Sequence, residues 1–371
     1  MPHIRTAPRL EDLLESTRRY ERWVAARTPV VPSALRLKHA RMAESPYAFF
    51  RATFYRWAER WGARCKSLAG APPVLAVCDL HVENFGTWRD AEARLVWGVN
   101  DFDEAHPAPY TIDLVRLAAS ARLAAEESRL TLGLSEACDA ILDGYERSLR
   151  AGGEPLVLAD RHPWLREIAT GAARDPARFW EKMTALPRFG GQLPRAVTGA
   201  LEATLPVEGL AYQRRARAAG LGSLGHVRMV ALARFQGAWI AREAKALSLS
   251  AMARGGAPGR FWCAEAIARA VRARDPFVRI RGGWIVKRLA PDCARVELAD
   301  LPARRDEARL LRNMGWETAN VHLGTPGAAR RILPHLRRLP PTWLRDAARE
   351  MAGAIAEDAA LWRRRWRRAS A

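Results

Sequence analysis

Lysine is scarce in this chain of 371 residues: Lys38, Lys66, Lys182, Lys245 and Lys287 are five of its sixty basic residues, so the formal charge of +20 is spelled almost wholly in arginine. Cysteine is scarce too. Cys65, Cys78, Cys138, Cys263 and Cys293 are odd in number and scattered, with no CxxC pair to nucleate a zinc site or a redox dithiol. Such usage fits a reducing cytoplasm. The opening Met-Pro-His-Ile-Arg-Thr lacks the apolar core of a signal peptide, and no apolar run approaches the roughly 18 residues that span a bilayer. The expectation is a soluble, untargeted cytoplasmic protein with no membrane partner. Internal repeats and long Gly/Pro-rich linkers are also missing, which excludes a solenoid or beads on a string.

What is present is enough apolar sequence, 49% of residues, to bury a sizeable core. The length suits two lobes, since single cores stop growing near roughly 250–300 residues. The densest basic segment, Trp362-Arg-Arg-Arg-Trp-Arg-Arg368, interleaves aromatics with guanidiniums. It reads either as the solvated end of a C-terminal helix or as a contact for nucleic acid or another acidic partner.

Apolar residues recur at three- and four-residue spacing over 10–26 and 46–61, which predicts helices there. Pro72-Pro73 ends that regime, and the short apolar runs 74–77 and 95–99, each followed by an acidic loop, predict buried strands. Helical patterning returns from 112 to about 183, most clearly at 112–120 and 137–149. From 212 to 289 the pattern changes. A glycine-rich turn, Gly220-Leu-Gly-Ser-Leu-Gly225, precedes predicted strands 228–235 and 239–245, a helix 262–271, and strands 277–280 and 284–289. With a strand ahead of Gly220 the order is β-β-β-α-β-β. Helices are predicted again over 304–321 and 343–366.

Chemistry concentrates in Cys78-Asp-Leu-His-Val-Glu-Asn-Phe-Gly86 and Asn100-Asp-Phe-Asp-Glu104. Phosphoryl transfer needs one carboxylate near the acceptor hydroxyl and another, with an amide oxygen, to hold the metal that neutralises the transferring group. Asp79 and Asn84 in one loop, with Asp101 after the next strand, supply that set, although Asp and Asn are also ordinary turn formers. Gly220, Gly222, Ser223 and Gly225 form a loop whose backbone N–H groups can lie over phosphates. Lys245 ends a predicted strand, and a single flexible ammonium suits the reach between phosphates better than a planar guanidinium. Glu265, in the helix that follows, is the candidate partner that would hold Lys245.

The two acidic loops resemble those of the aminoglycoside-phosphotransferase-like branch of the protein-kinase fold, whose catalytic loop reads Gly-Asp-x-His-x-x-Asn and whose metal loop begins Asp-Phe. The resemblance implies that Asp79 is the catalytic base or hydroxyl-orienting carboxylate, that Asn84 and Asp101 are metal ligands, and that His81 braces the catalytic loop. Asp113 would cap and steady that loop. Asp103 is a second carboxylate that binds a further metal or faces water. The order is unusual, because Asp79 lies about 140 residues before Gly220, whereas kinases place the glycine loop first. The segment 309–322 resembles the helix that normally leads into the catalytic loop, yet it comes late. A circular permutation accounts for both.

These blocks in this order, from Arg41 to about His322, resemble a bacterial family known only as domain of unknown function 2252. Three positions depart from its pattern: Cys78 and Ala52 each replace a glycine, and Asp103 adds a second carboxylate two residues after Asp101. The expectation is an α+β, bilobal, circularly permuted protein-kinase-like fold. Residues 1–205 would form a mostly helical large lobe with the catalytic and metal loops, 206–290 a small nucleotide-clamping lobe, and 291–371 a helical return. The activity implied is an ATP- and Mg²⁺- or Mn²⁺-dependent phosphotransferase acting on a hydroxyl-bearing small molecule or protein, with nucleotidyl transfer using nearly the same parts. The alternatives are a degenerate kinase-like nucleotide-binding or regulatory module, and a metal-dependent hydrolase built from Asp79, His81, Glu83, Asp101 and Asp103.

Overall fold

The computed structural model describes residues 10–127, 130–159, 161–170, 175–254, 259–293, 295 and 306–370. The opening hexapeptide and residues 304–305 of the predicted helix 304–321 lie outside them. Four helices begin the chain: α1 (Leu10–Ala25), α2 (Pro32–Met42), α3 (Pro46–Ala52) and α4 (Phe54–Arg64). The periodicity of 46–61 predicts one helix, but the chain breaks it at Thr53, whose φ of −127° and ψ of 49° are not helical and whose hydroxyl donates back to the Phe49 carbonyl at 2.7 Å. Helix α3 starts cleanly because the Ser45 hydroxyl caps the Ala48 N–H and Pro46 takes the first turn.

Strand β1 (Pro73–Ala76) leads into the loop that carries Asp79, and β2 (Phe85–Arg89) and β3 (Leu95–Val99) bracket the turn that follows it. A further strand, β4 (His106–Pro109), pairs antiparallel with β1. Helix α5 (Thr111–Glu126) is buried on nearly every side, as its continuous apolar sequence requires. Helix α6 (Leu134–Ala151) is followed by β5 (Leu156–Val157), which joins β3 at the edge of a three-stranded sheet. Three helices follow: α7 (Pro163–Thr170), α8 (Pro176–Thr184) and α9 (Arg195–Glu202).

The five-stranded antiparallel sheet has the order β6-β7-β8-β10-β9. Its members are β6 (Gln213–Ala216), β7 (Arg228–Phe235), β8 (Ala238–Ala246), β9 (Arg279–Arg281) and β10 (Trp284–Leu289), with α10 (Cys263–Arg269) between β8 and β9. The β-β-β-α-β-β order read from the sequence is therefore formed. The sheet is covered on both faces: Val197 and Leu201 of α9 pack on Met229, Ala231, Ala244 and Val286, and Met183 of α8 packs on Val230, Leu232 and Ala241. Residues 176–202 thus pack on the sheet unit, whereas the sequence reading places 1–205 in the large helical lobe. Periodicity shows that a helix has an apolar face but not which surface that face meets.

Helices α11 (Glu307–His322), α12 (Ala328–Leu336) and α13 (Trp343–Ser370) return to the first helical body. Helices α6 and α11 cross in direct backbone contact, because a Cβ on Gly144 would fall 1.8 Å from the Arg312 carbonyl oxygen and one on Gly315 would fall 2.0 Å from that of Ile141. Helix α13 packs on α3, α4 and α5, and its fully buried Asp358 accepts from Arg56 and Arg60 of α4 at 2.6–3.3 Å. At its basic end Trp362 turns inward, donating to the His39 carbonyl at 3.0 Å, and leaves Arg364, Arg365, Arg367 and Arg368 exposed. Among the described residues, no helix is long and apolar enough to cross a membrane.

Candidate functional site

The loop after β1 is fixed from behind by Asp113, in the first turn of α5. Its carboxylate accepts the N–H groups of Val77 (2.8 Å) and Cys78 (2.7 Å) and bonds His322 Nε2 at 2.9 Å, while His322 Nδ1 meets the Tyr145 hydroxyl at 2.7 Å. One buried acid thus ties the loop to α5, α6 and α11. Cys78 sits at φ = +66°, a conformation that favours glycine and costs an L residue about 1 kcal/mol. Its side chain is buried, and burial, reinforced by the charge of Asp113, holds the thiol well above its ordinary range.

Asp79 points into the cleft with Oδ1 engaged by Arg116, which donates through Nε at 2.9 Å and also through Nη2. Arg116 is fully buried, its guanidinium lying 4.0 Å from the Phe50 ring centroid, 4.9 Å from that of Trp57 and 5.0 Å from that of Phe54. Burial raises the Asp79 pKa, and Arg116 counteracts it. The sequence displayed Arg116 inside Asp-Leu-Val-Arg-Leu without marking its role, since only the fold brings it back to Asp79. His81 is buried, and burial together with Arg51 and Arg295 drives its pKa well below the usual histidine range. Its neutral ring accepts the Glu83 N–H at Nδ1 (3.2 Å), and Glu83 itself pairs with Arg51. That is a bracing role.

Asn84 donates its amide to the carbonyls of Asp79 (3.0 Å) and Asp101 (3.2 Å), which leaves its buried Oδ1 without a hydrogen-bond partner. A buried acceptor with nothing donating to it is costly unless a cation or water completes it. Asp101 and Asp103 stand beside it, and Lys245 from β8 reaches both, at 3.5 Å and 2.5 Å. The two acids separate electrostatically. Burial opposes ionisation of each, but Lys245, Lys287 and Arg295 hold Asp101 well below the carboxylate range, whereas burial and the adjacent charge of Asp101 raise Asp103.

The pairing of Lys245 with Glu265 is not formed. Glu265 turns to Arg260 and to Arg269, one helical turn on at 2.6 Å, and Asp103 and Asp101 take Lys245 instead. Two further lysines hold backbone around this cluster: Lys38 of α2 donates to the Gly222 carbonyl at 2.8 Å, and Lys287 of β10 donates to the Asn100 carbonyl at 2.7 Å. Lys66 and Lys182 are exposed elsewhere. In a chain that writes charge as arginine, two of the five lysines, Lys245 and Lys287, line one cleft and a third, Lys38, holds the glycine loop beside it, a signal that became legible only once the fold was known.

The glycine loop joins β6 to β7 and folds down onto Asp79. Gly220 has φ = +74°, and a Cβ on Gly222 would lie 3.2 Å from the Arg51 carbonyl oxygen and 3.5 Å from Asp79 Oδ2. Gly225 accepts the Val31 N–H at 2.7 Å, and the Ser223 hydroxyl accepts from Arg228 at 2.6 Å. Beneath the loop is a cavity of about 40 Å³, lined by Asp79, Asn84, Asp101 and Asp103. It adjoins a larger one of about 230 Å³ lined by Lys245, Lys287, Arg217, Arg228 and Arg295, with Gly220, Asp101 and Arg295 common to both.

This donor set suits Mg²⁺ or Mn²⁺ held jointly with a phosphate chain. Such ions use one or two carboxylates plus substrate oxygens rather than a complete protein cage. No group of three or more His, Cys, Asp or Glu able to hold a metal occurs among the described residues. The orphaned Asn84 oxygen, two unlike carboxylates and a neighbouring cationic cavity fit a metal-bound phosphate chain. No curated protein and no solved structure matches the chain. Residues 27–175 match the family described as "Uncharacterized protein conserved in bacteria (DUF2252)", a stretch that contains Asp79, Asn84, Asp101, Asp103 and Asp113 and ends before the glycine loop and Lys245.

Proposed function

We propose that the chain is an ATP- and metal-dependent phosphotransferase with a circularly permuted kinase-like fold, acting on a hydroxyl-bearing small molecule or protein. The observation that carries this reading is the buried, unpartnered oxygen of Asn84 in the cavity beneath the glycine loop that Asp101 and Asp103, the partners of Lys245, also line. Asn84, Asp101 and Asp103 would hold the metal, which supplies charge neutralisation for the transferring phosphoryl group. Lys245 and Lys287 would bind phosphate oxygens, and Asp79 would orient the acceptor hydroxyl through Oδ2, because Oδ1 belongs to Arg116. The return of α11 to Asp113 and of α13 to α3–α5 supports the permutation, since both chain ends build one helical body.

A specific observation favours a second reading, a nucleotide-binding module without turnover. Asp79 is held through Oδ1 by a buried arginine, and Gly222 of the glycine loop stands close to Oδ2, which narrows the room for an acceptor beside it. The hydrolase reading loses support because Glu83 faces Arg51 and His81 braces the loop. Thermal-shift titration of wild type, Lys245→Ala and Asp101→Ala with ATP, with and without Mg²⁺ or Mn²⁺, tests the proposal. A metal-dependent rise in Tm, lost in both variants, is expected, and ADP formation then separates turnover from binding alone. Well-folded wild type that shows no shift with any nucleotide contradicts the reading.

A further inference from the structure

We infer that the donor site recognises the phosphate chain by charge and takes triphosphates with little regard to the base, an inference that rests on the phosphotransferase reading. Residues two apart on β8 share a face, so Ala241, Glu243 and Lys245 line the cleft side of the sheet in sequence. Next to Lys245, where a planar base would need an apolar platform, stands Glu243, which accepts from Arg217 at 2.6 Å and Arg228 at 2.8 Å. Further along, the apolar part of that face, Val230, Leu232 and Ala241, is already covered by Met183, Phe179 and Trp180. Charge occupies one half of the face and α8 the other.

The rest of the cavity agrees. It presents Arg217, Arg228, Lys245, Lys287, Arg288 and Arg295 against three acids, Asp101, Glu243 and Asp275. Of its two aromatic rings, Trp88 lies under the Arg272 guanidinium at 4.3 Å, and Phe179 packs nearly perpendicular to Trp180 with ring centroids 4.8 Å apart. Sites that grip a drug-sized ligand are mostly apolar and enclose roughly 300–1,000 Å³, whereas this cavity is about 230 Å³ and walled by charge. Among the described residues it therefore offers guanidiniums and ammoniums matched to phosphate oxygens, and its apolar lining is confined to Trp88, Phe179, Ala219, Leu289 and Cys293. Pressing a base against the Arg217–Glu243–Arg228 cluster would desolvate those ions without replacing their water.

Calorimetric titration of the full chain in Mg²⁺ with ATP, GTP, CTP, inorganic tripolyphosphate and adenosine tests this. The three nucleotides and tripolyphosphate are expected to bind within about threefold of one another, and adenosine not to bind. ATP binding about tenfold or more tighter than GTP, CTP and tripolyphosphate overturns the inference and leaves the phosphotransferase reading standing. Failure of every triphosphate to bind overturns both.

Discussion

The helical body's wall of the cleft is held from behind, and the sheet's wall is held from in front. Behind Asp79 lie the Asp113 bonds to two backbone N–H groups and His322, and the Arg116 guanidinium stacked among three aromatic rings. None of these contacts spans the cleft. The sheet and its glycine loop are positioned by ammonium groups that do span it: Lys245 to Asp103, Lys287 to the Asn100 carbonyl, and Lys38 to the Gly222 carbonyl. The difference teaches that folding presets the wall that carries Asp79, whereas the opposite wall is set by contacts for which, on the proposed function, a phosphate chain would compete.

Breaking the preset wall has the largest expected effect. Asp113→Ala leaves two buried N–H groups and His322 without their acceptor, and should cost about 4 kcal/mol in urea denaturation. A loss below about 1 kcal/mol would show that the loop is not held from behind. On the sheet side, Glu243 is the strongest fixed point. Burial works against its charge, yet Arg228 and Arg217 bring its pKa down to about 2, against an ordinary value of 4.5. Because the folded pKa is depressed, this stabilisation is complete above about pH 4.5 and is lost as pH falls toward 2. Wild type should exceed Glu243→Gln by about 3 kcal/mol at neutral pH, with the gap closing through that window, and a pH-independent gap would contradict the pairing.

The smallest effect sharpens the comparison most. Lys38→Met should cost only about 1 kcal/mol globally, while amide exchange across 222–225 accelerates about tenfold. Equal acceleration in α5 would mean that Lys38 supports the whole body and not the loop alone.

Much of this was written locally in the chain. The spacing of Asp79, Asn84 and Asp101, the β-β-β-α-β-β order and the strand bearing Lys245 depend on alternation, turn residues and short motifs, all of which act over a few residues. What stayed hidden depends on distance. Arg116 and Lys38 show their roles only when the chain folds back over 37 residues to Asp79 and 184 residues to Gly222. Glu265 was misassigned for the same reason, because helix position alone does not choose between Lys245 across the cleft and the nearby Arg260 and Arg269. Cys78 stands where a positive φ asks for glycine, and the mismatch was visible in sequence as a departure whose φ only the fold could supply.

The most direct test of a single site assembled from both walls extends the nucleotide titration to a double-mutant cycle, using calorimetric affinities of ATP in Mg²⁺ for wild type, Lys245→Ala, Asp101→Ala and the double variant. Each single change should weaken binding by about tenfold or more, and the double variant should depart from additivity by more than about 0.5 kcal/mol, because both side chains act on one phosphate chain. Affinities unchanged by either substitution, or strictly additive losses, would contradict the account.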